Sequence, residues 1–239
     1  MLQSPIEVYA GLDRVEQAYL NSKLMWDREL QHLREGLVLW VPGLSGLTEM
    51  AQDLTLTSDT PVTASGGLQF RDSNWVDLPN DLGYGQQVSA FSWFQEIGVP
   101  ASNHHIIFGG SQLELTVHDT GYLRTGLELD GVRQVANFGG GIADGNPHHV
   151  GFTFDGTTMV RYIDGAIVGQ STFSAPVLTN VFSTRRIGRF GPSDVYYLNG
   201  NVYDLRIYKR ALSAEAVEAL ARKTTFANLA TVVGYKGMK

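Results

Sequence analysis

The run PHHVGFTFDGTTMVRYIDGAIVG at 147–169, with RRIGRFG at 185–191 and LNGNVYDLRIYKRALSAEAVEALAR at 198–222, decides how this chain folds. Val150, Phe152 and Phe154 alternate with small or polar residues up to Asp155-Gly156, and a second run ends at Asp164-Gly165. Alternation of this kind reads as strand, with one set of side chains directed at a core. Asp-Gly and Asn-Gly tolerate the positive φ that tight turns demand, so hairpin turns are expected at both Asp-Gly pairs and at Asn199-Gly200. Tyr203, Leu205 and Ile207 then share one core-facing parity. After Leu212 the pattern becomes helical: Ser213 is placed to cap a helix, and Glu215 falls in its first turn near the positive end of the dipole.

Working outward, GLVLWVPG (36–43) resembles the first strand, and GGLQFRDSNWVDLP (66–79) the next hairpin, of laminin-G-like domains. VSAFSWFQEIG (88–98) resembles a strand of the same domains, which implies Trp93 as a core aromatic, and HHIIFGG, QLELTVHD and GYLRTGLELDG supply three more. The order of these pieces, with Pro147-His148-His149-Val150-Gly151 where the family has W-H-H-V-A, resembles laminin-G-like domains of the concanavalin A-like lectin/glucanase superfamily. The resemblance covers about residues 36–222. It implies an all-β fold, a two-sheet antiparallel jelly-roll sandwich. Many unrelated functions use this fold, so it fixes shape better than activity.

Ahead of the sandwich, Leu12, Val15, Tyr19, Trp26, Leu30 and Leu33 fall on one stripe at 100° per residue, which predicts an N-terminal α-helix over 12–34. Leu12, Tyr19, Trp26 and Leu33 recur every seven residues, while Ser22 and Glu29 interrupt the second seam position, so the stripe either packs on the outer face of the sandwich or is a docking or oligomerisation surface. Three parts follow: an arm and helix at 1–35, the jelly roll with its short C-terminal helix at 36–222, and a tail at 223–239.

A net charge of −6 argues against a nucleic-acid partner, because phosphate binding needs clustered Lys and Arg. No cysteine is present, which suits folding in a bacterial cytoplasm. MLQSPIEVYAGL lacks a basic start and a long apolar stretch, so no signal peptide is expected. The apolar run at 36–44 is far shorter than the ~20 residues a membrane helix needs, so no membrane insertion is expected.

Laminarinase-like relatives carry E-x-D-x-x-E; here Glu128-Leu129-Asp130-Gly131-Val132-Arg133 loses its third carboxylate to Arg133, and Asp130-Gly131 reads as a turn. Glu114 and His118 share a strand face but no second acid joins them, and retaining hydrolysis needs two carboxyls ~5–5.5 Å apart. No catalytic residues are expected. His104-His105 and His148-His149 point to opposite faces of their strands and cannot chelate one ion. The resemblance implies that calcium could bind at the rim, with Asp72, Asn74, Asp144, Asn146 and Asp194 as loop candidates. Trp75, Tyr84, Tyr122, Tyr196 and Tyr197 are candidate glycan or partner contacts. Arg185, Arg186 and Arg189 are expected to form a solvated face.

Three functional readings follow. The favoured one is a non-catalytic structural or adhesive subunit of a larger assembly. The resemblance in style is to bacteriophage virion proteins (head decoration, fibre or tail components), implying a virion location after synthesis in a bacterial host. Its partners would be further copies of the chain, other virion proteins, or a cell-surface glycan. The alternatives are a free lectin, calcium-dependent or not, and a glycoside hydrolase.

Overall fold

The computed structural model describes residues 35–42, 48–49, 54–58, 67–71, 74–79, 82–83, 85–98, 104–110, 112–174, 176–179, 185–191 and 196–223. The predicted helix over 12–34, with Leu12, Val15, Tyr19, Trp26, Leu30 and Leu33, lies outside them, as do Asp72, Tyr84 and Asp194.

Two antiparallel sheets face each other. The first has the order β1 (Leu37–Pro42), β16 (Asn199–Tyr208), β7 (Val88–Glu96), β12 (Pro147–Phe154), β13 (Thr158–Ile163) and β14 (Ala166–Thr172), with β5 (Leu68–Arg71) also paired to β16. The second runs β11 (Val132–Phe138), β10 (Leu123–Leu129), β9 (Leu113–His118), β8 (His104–Gly109), β15 (Arg185–Ile187), β6 (Val76–Leu78) and β4 (Thr57–Ser58). A two-residue pair, β2 (Thr48–Glu49) with β3 (Leu54–Thr55), lies apart from both sheets. One helix, α1 (Ala214–Lys223), follows β16, and the Ser213 hydroxyl accepts the Ala216 N–H at 3.3 Å as its cap. This is the jelly-roll sandwich the strand pattern predicts.

Pleat alternation builds the core. Val150, Phe152, Phe154, Phe94, Leu205 and Ile207 of the first sheet meet Leu113, Leu115, Val117, Leu123, Leu127 and Ile187 of the second, all buried. Asp164-Gly165 and Asp130-Gly131 close tight hairpins with φ of 51° and 83°, and 53° and 74°, the doubly positive geometry these residues favour. One buried cation crosses the sandwich. Arg161 of β13 donates through Nε to the Thr125 hydroxyl of β10 at 2.9 Å and through Nη1 to Ser171 at 3.0 Å. Its guanidinium lies 4.1 Å from the Phe138 ring centroid, and burial pulls its pKa down to about 10.

Several expectations are corrected. Asn199-Gly200 is not a turn but the start of β16, paired with both β5 and β7. Gly200 is needed there for closeness: a Cβ would stand 2.5 Å from the Gln95 carbonyl oxygen. Residues 66–79 are not a hairpin, since β5 belongs to the first sheet and β6 to the second. Trp93 has the parity of Phe91, opposite to Phe94, so it faces the outside of the first sheet. Tyr203 leaves the core face because the register between β16 and β7 shifts between Val202 and Asp204.

The outer face of the first sheet is nevertheless well buried. His149 stacks on Phe91 with centroids 5.4 Å apart, and Asp204 pairs with Arg206 at 2.8 Å beneath Trp40. Burial lowers the pKa of His149 to about 3, and that of His105, inside the sandwich against Phe94, to about 4. Both histidines are therefore neutral in the fold, while the unfolded chain takes up protons near 6.5. The resulting stabilisation is complete above pH 6.5 and is lost on acidification, through about pH 4 for His105 and about pH 3 for His149. Each should contribute a slope of about 1.4 kcal/mol per pH unit within its window. Urea unfolding at stepped pH checks this: stability should drop from pH 6.5 to pH 4.5, and His149→Phe should reduce that slope. A flat profile would contradict the assignment.

Candidate functional site

Burying the odd-numbered residues of β9 and β10 leaves Glu114, Thr116 and His118 facing outward beside Arg124 and Gly126. The tight Asp130-Gly131 turn sets Arg133 opposite Glu128, which brings Arg133 onto the same face. Gly126 lies directly opposite Glu114, and a Cβ there would come 3.1 Å from Glu114 Oε2. The glycine thus lets the carboxylate lie flat on the sheet.

Glu114 is only 2% exposed, and its charge is fully engaged. Arg124 Nε donates to Oε1 at 3.2 Å, Thr116 donates to the same oxygen at 2.9 Å, and Arg133 Nη2 donates to Oε2. A wall of rings stands beside this hub. The Arg133 guanidinium lies 4.7 Å from the Phe190 centroid; Phe190 contacts Tyr196 edge-on at 6.3 Å, Tyr196 contacts His104 at 5.2 Å, and His104 contacts His118 at 4.9 Å. Phe190 can settle so low because Gly109 has no side chain: a Cβ there would meet the ring at 3.0 Å. Together His104, Ile106, Glu114, Arg124, Arg133, Phe190 and Tyr196 enclose a pocket of about 80 Å³. Burial lowers the Arg133 pKa, with the Coulomb effect of Tyr196 opposing it.

The sequence candidates distribute unevenly around this pocket. Tyr196 lines it and is 37% exposed. Tyr122 precedes β10 with the parity of Arg124, is 46% exposed, and rests near Gly140. Trp75 and Tyr197 belong to a neighbouring stack: the guanidinium carbons of Arg189 and Arg186 lie 4.2 and 4.9 Å from the Trp75 centroid, and Arg189 lies 5.3 Å from Tyr197. This overturns the solvated arginine face, because Arg185 and Arg189 are buried and Arg186 pairs with Asp77 at 2.8 Å.

The calcium candidates serve their own turns. Asn74 Oδ1 accepts the Arg71 N–H at 2.7 Å, and Asp144 accepts the backbone and side-chain N–H groups of Asn146 at 2.8 and 2.9 Å. Asp144 and Asp164 also hold the two ring nitrogens of His148, at 3.2 and 2.7 Å. The pKa of Asp144 falls to about 2, chiefly through the Asn146 hydrogen bonds. Among the described residues, no group of three or more His, Asp or Glu is arranged to hold a metal ion.

A second, wider groove of about 500 Å³ lies outside the first sheet, lined by Trp93, His148, Asp164, Glu218 and Arg222. Its charged groups are matched to one another: His148 to Asp144 and Asp164, Arg222 to Glu218. The pocket over Glu114 differs, because neither arginine there spends more than a part of its donor fork.

Strand parity brings Glu114 and His118 together in the sequence; Arg124, Arg133 and His104 are not among the sequence candidates for a binding contact. For the two arginines a signal existed. Once Asp130-Gly131 is accepted as a two-residue turn, counting back from it puts Glu128, Gly126 and Arg124 on the face of Arg133.

With the architecture defined as a concanavalin A-like sandwich, the family follows. A family model described as the concanavalin A-like lectin/glucanases superfamily, of the laminin-G type, matches residues 70–218, more than half of the chain. The chain belongs to that superfamily. No curated protein matches it by sequence.

Solved structures share the fold at low identity. Domain 4 of AbnA, a GH43 extracellular arabinanase from Geobacillus stearothermophilus, solved with arabinotriose, is 18% identical with a TM-score of 0.56, covering 77% of this chain and 98% of that one. The CBM40 of the Ruminococcus gnavus IT-sialidase, bound to α2,3-sialyllactose, is 14% identical with a TM-score of 0.55, covering 65% and 96%. The binding domain of botulinum neurotoxin DC, in complex with rat synaptotagmin II, is 14% identical with a TM-score of 0.60; the match covers 82% of this chain but 53% of that one.

The hub should be a stability determinant as well as a surface feature. Glu114→Ala leaves two guanidinium groups unbalanced and should cost about 2–4 kcal/mol. Tyr196→Ala removes an exposed ring and should cost about 1 kcal/mol or less. Urea unfolding of the two variants checks the order; equal losses would mean that the carboxylate is not the keystone of this face.

Proposed function

We propose that this chain is a non-catalytic carbohydrate-binding domain whose glycan lies along the outer face of the second sheet, between Tyr122 and Tyr196. The observation that carries it is the pocket over Glu114, where hydrogen-bond donors are fixed beside exposed rings. Sugars are bound by that combination: rings cover the apolar faces of the pyranose, and oriented polar groups take its hydroxyls. Membership in a lectin-rich superfamily and fold likeness to an arabinotriose-bound domain and a sialyllactose-bound module support the same reading.

Hydrolysis is disfavoured on the chemistry. Glu114 is the one carboxylate lining the pocket among the described residues, and both its oxygens are held by cations. Glycosidases work with a pair, one of them free to exchange a proton. Asp130, the second carboxylate of the Glu128–Arg133 sequence candidate, has φ of 53° and occupies a turn.

Within this reading the domain is an adhesive part of a larger assembly, such as a bacteriophage head decoration, fibre or tail, with copies of itself or other virion proteins as partners. The support is the seven-residue recurrence of Leu12, Tyr19, Trp26 and Leu33 ahead of the sandwich. Calcium is not required by the pocket as built. A glycan array with the full chain, followed by calorimetry on the best ligand with and without a chelator, tests the reading. Tyr196→Ala and Tyr122→Ala should each weaken binding about tenfold or more, as truncating an aromatic anchor costs ~1 kcal/mol or more, and no reducing sugar should be released. Binding that survives both substitutions would move the glycan elsewhere.

A further inference from the structure

Glu114 is shared by two arginines, and that leaves charge and donors over. Arg124 touches it through Nε alone and Arg133 through Nη2 alone. Apart from these bonds, the stacking of Arg133 on Phe190 and its Coulombic attraction to Tyr196, neither side chain makes another polar contact in the described structure. Both line the pocket, so the rest of each planar fork is presented to whatever enters it. Unused guanidinium N–H groups in a fixed fork match the two oxygens of a carboxylate or the oxygens of a sulfate ester.

The charge count points the same way. Two guanidinium groups and one carboxylate leave a surplus of one positive charge in the pocket. Glu128, opposite Arg133 across the strands, forms no ion pair with it and does not line the pocket, while Asp119 is paired with His118 at 2.7 Å. Burial works against the charge of Arg133. A volume of about 80 Å³ holds a single functional group, not a ring.

From this geometry we infer that the pocket takes the anionic group of an acidic sugar, a carboxylate or a sulfate ester, while the ring of that sugar rests on Tyr196. This rests on the glycan-binding reading above and narrows it to acidic glycans. A chain with a net charge of −6 repels anions at long range, so any preference for them must come from a local site such as this one.

Matched ligand pairs test it on the full chain by calorimetry. One pair is a galacturonic acid trisaccharide and its carboxyl-reduced counterpart; the other is a sulfated tetrasaccharide and its desulfated form. At least one acidic member should bind about tenfold tighter than its partner, and which pair responds identifies the anionic group. Arg133→Gln and Arg124→Gln should each remove most of that ratio. Because either change removes a partner of Glu114, salt supplies a second readout on the unaltered protein: added sodium chloride should pull the ratio toward one and leave the neutral members unchanged. If neutral and acidic members bind alike, and Tyr196→Ala weakens both, the anion inference falls while glycan binding stands. If neither those ligands nor any glycan on the array binds, glycan binding falls and the inference goes with it.

Discussion

Phe152, Phe154 and Phe94 of one sheet meet Leu115, Val117 and Leu127 of the other, and that apolar contact is what the remaining structure depends on. A strand directs successive side chains to opposite faces, so committing one parity to the core fixes the destination of every other residue. In β9 the burial of Leu113, Leu115 and Val117 sends Glu114, Thr116 and His118 outward in a single step. The functional face is the complement of the core, read off the same strands with the same period. A register slip of one residue would place the Glu114 carboxylate among phenylalanines.

The two outer faces meet different fates. On the first sheet, Trp93, His149, Phe91 and the Asp204–Arg206 pair are almost wholly withdrawn from water. Neutral histidines and matched charges are the forms such burial tolerates. On the second sheet, Glu114 is withdrawn as deeply, but its two cations remain about a third exposed. Desolvating the anion while leaving its partners open to solvent produces a rigid surface of donors. That asymmetry is why the smaller pocket, and not the wider groove beside α1, is the better site.

Much of the fold was legible before the structure. The Asp164-Gly165 turn, the parity of Val150, Phe152 and Phe154, and the Ser213 cap are local features, and local chemistry determines them. Errors arose where a distant strand intervenes. Gly200 follows Asn199 as a turn glycine would, yet it is glycine because the Gln95 carbonyl presses on it from β7. Tyr203 follows the alternation of Leu205 and Ile207 until a bulge turns it out. Arg186 and Arg189 looked like part of a solvated run because nothing in the sequence says that Trp75 lies against them. The pocket shares this limit: its residues come from β8, β9, β10, β11 and the segment after β15, and only pairing across the sheet assembles them.

A site on a flat sheet also sets the kind of adhesion the domain can give. Ordered strands hold the hub in place, so little entropy is lost when a ligand docks, but a pocket for one functional group gathers few contacts. If the proposed reading holds, affinity for a single glycan is modest by construction. Firm attachment to a glycan-coated surface then requires several copies held at fixed spacing, because linked weak sites gain by effective concentration what each lacks alone. The heptad recurrence at 12–33 is the feature of this sequence suited to supply such spacing. On the proposed reading, glycan recognition and assembly would be one physical requirement, because a face this shallow becomes adhesive only when it is multiplied.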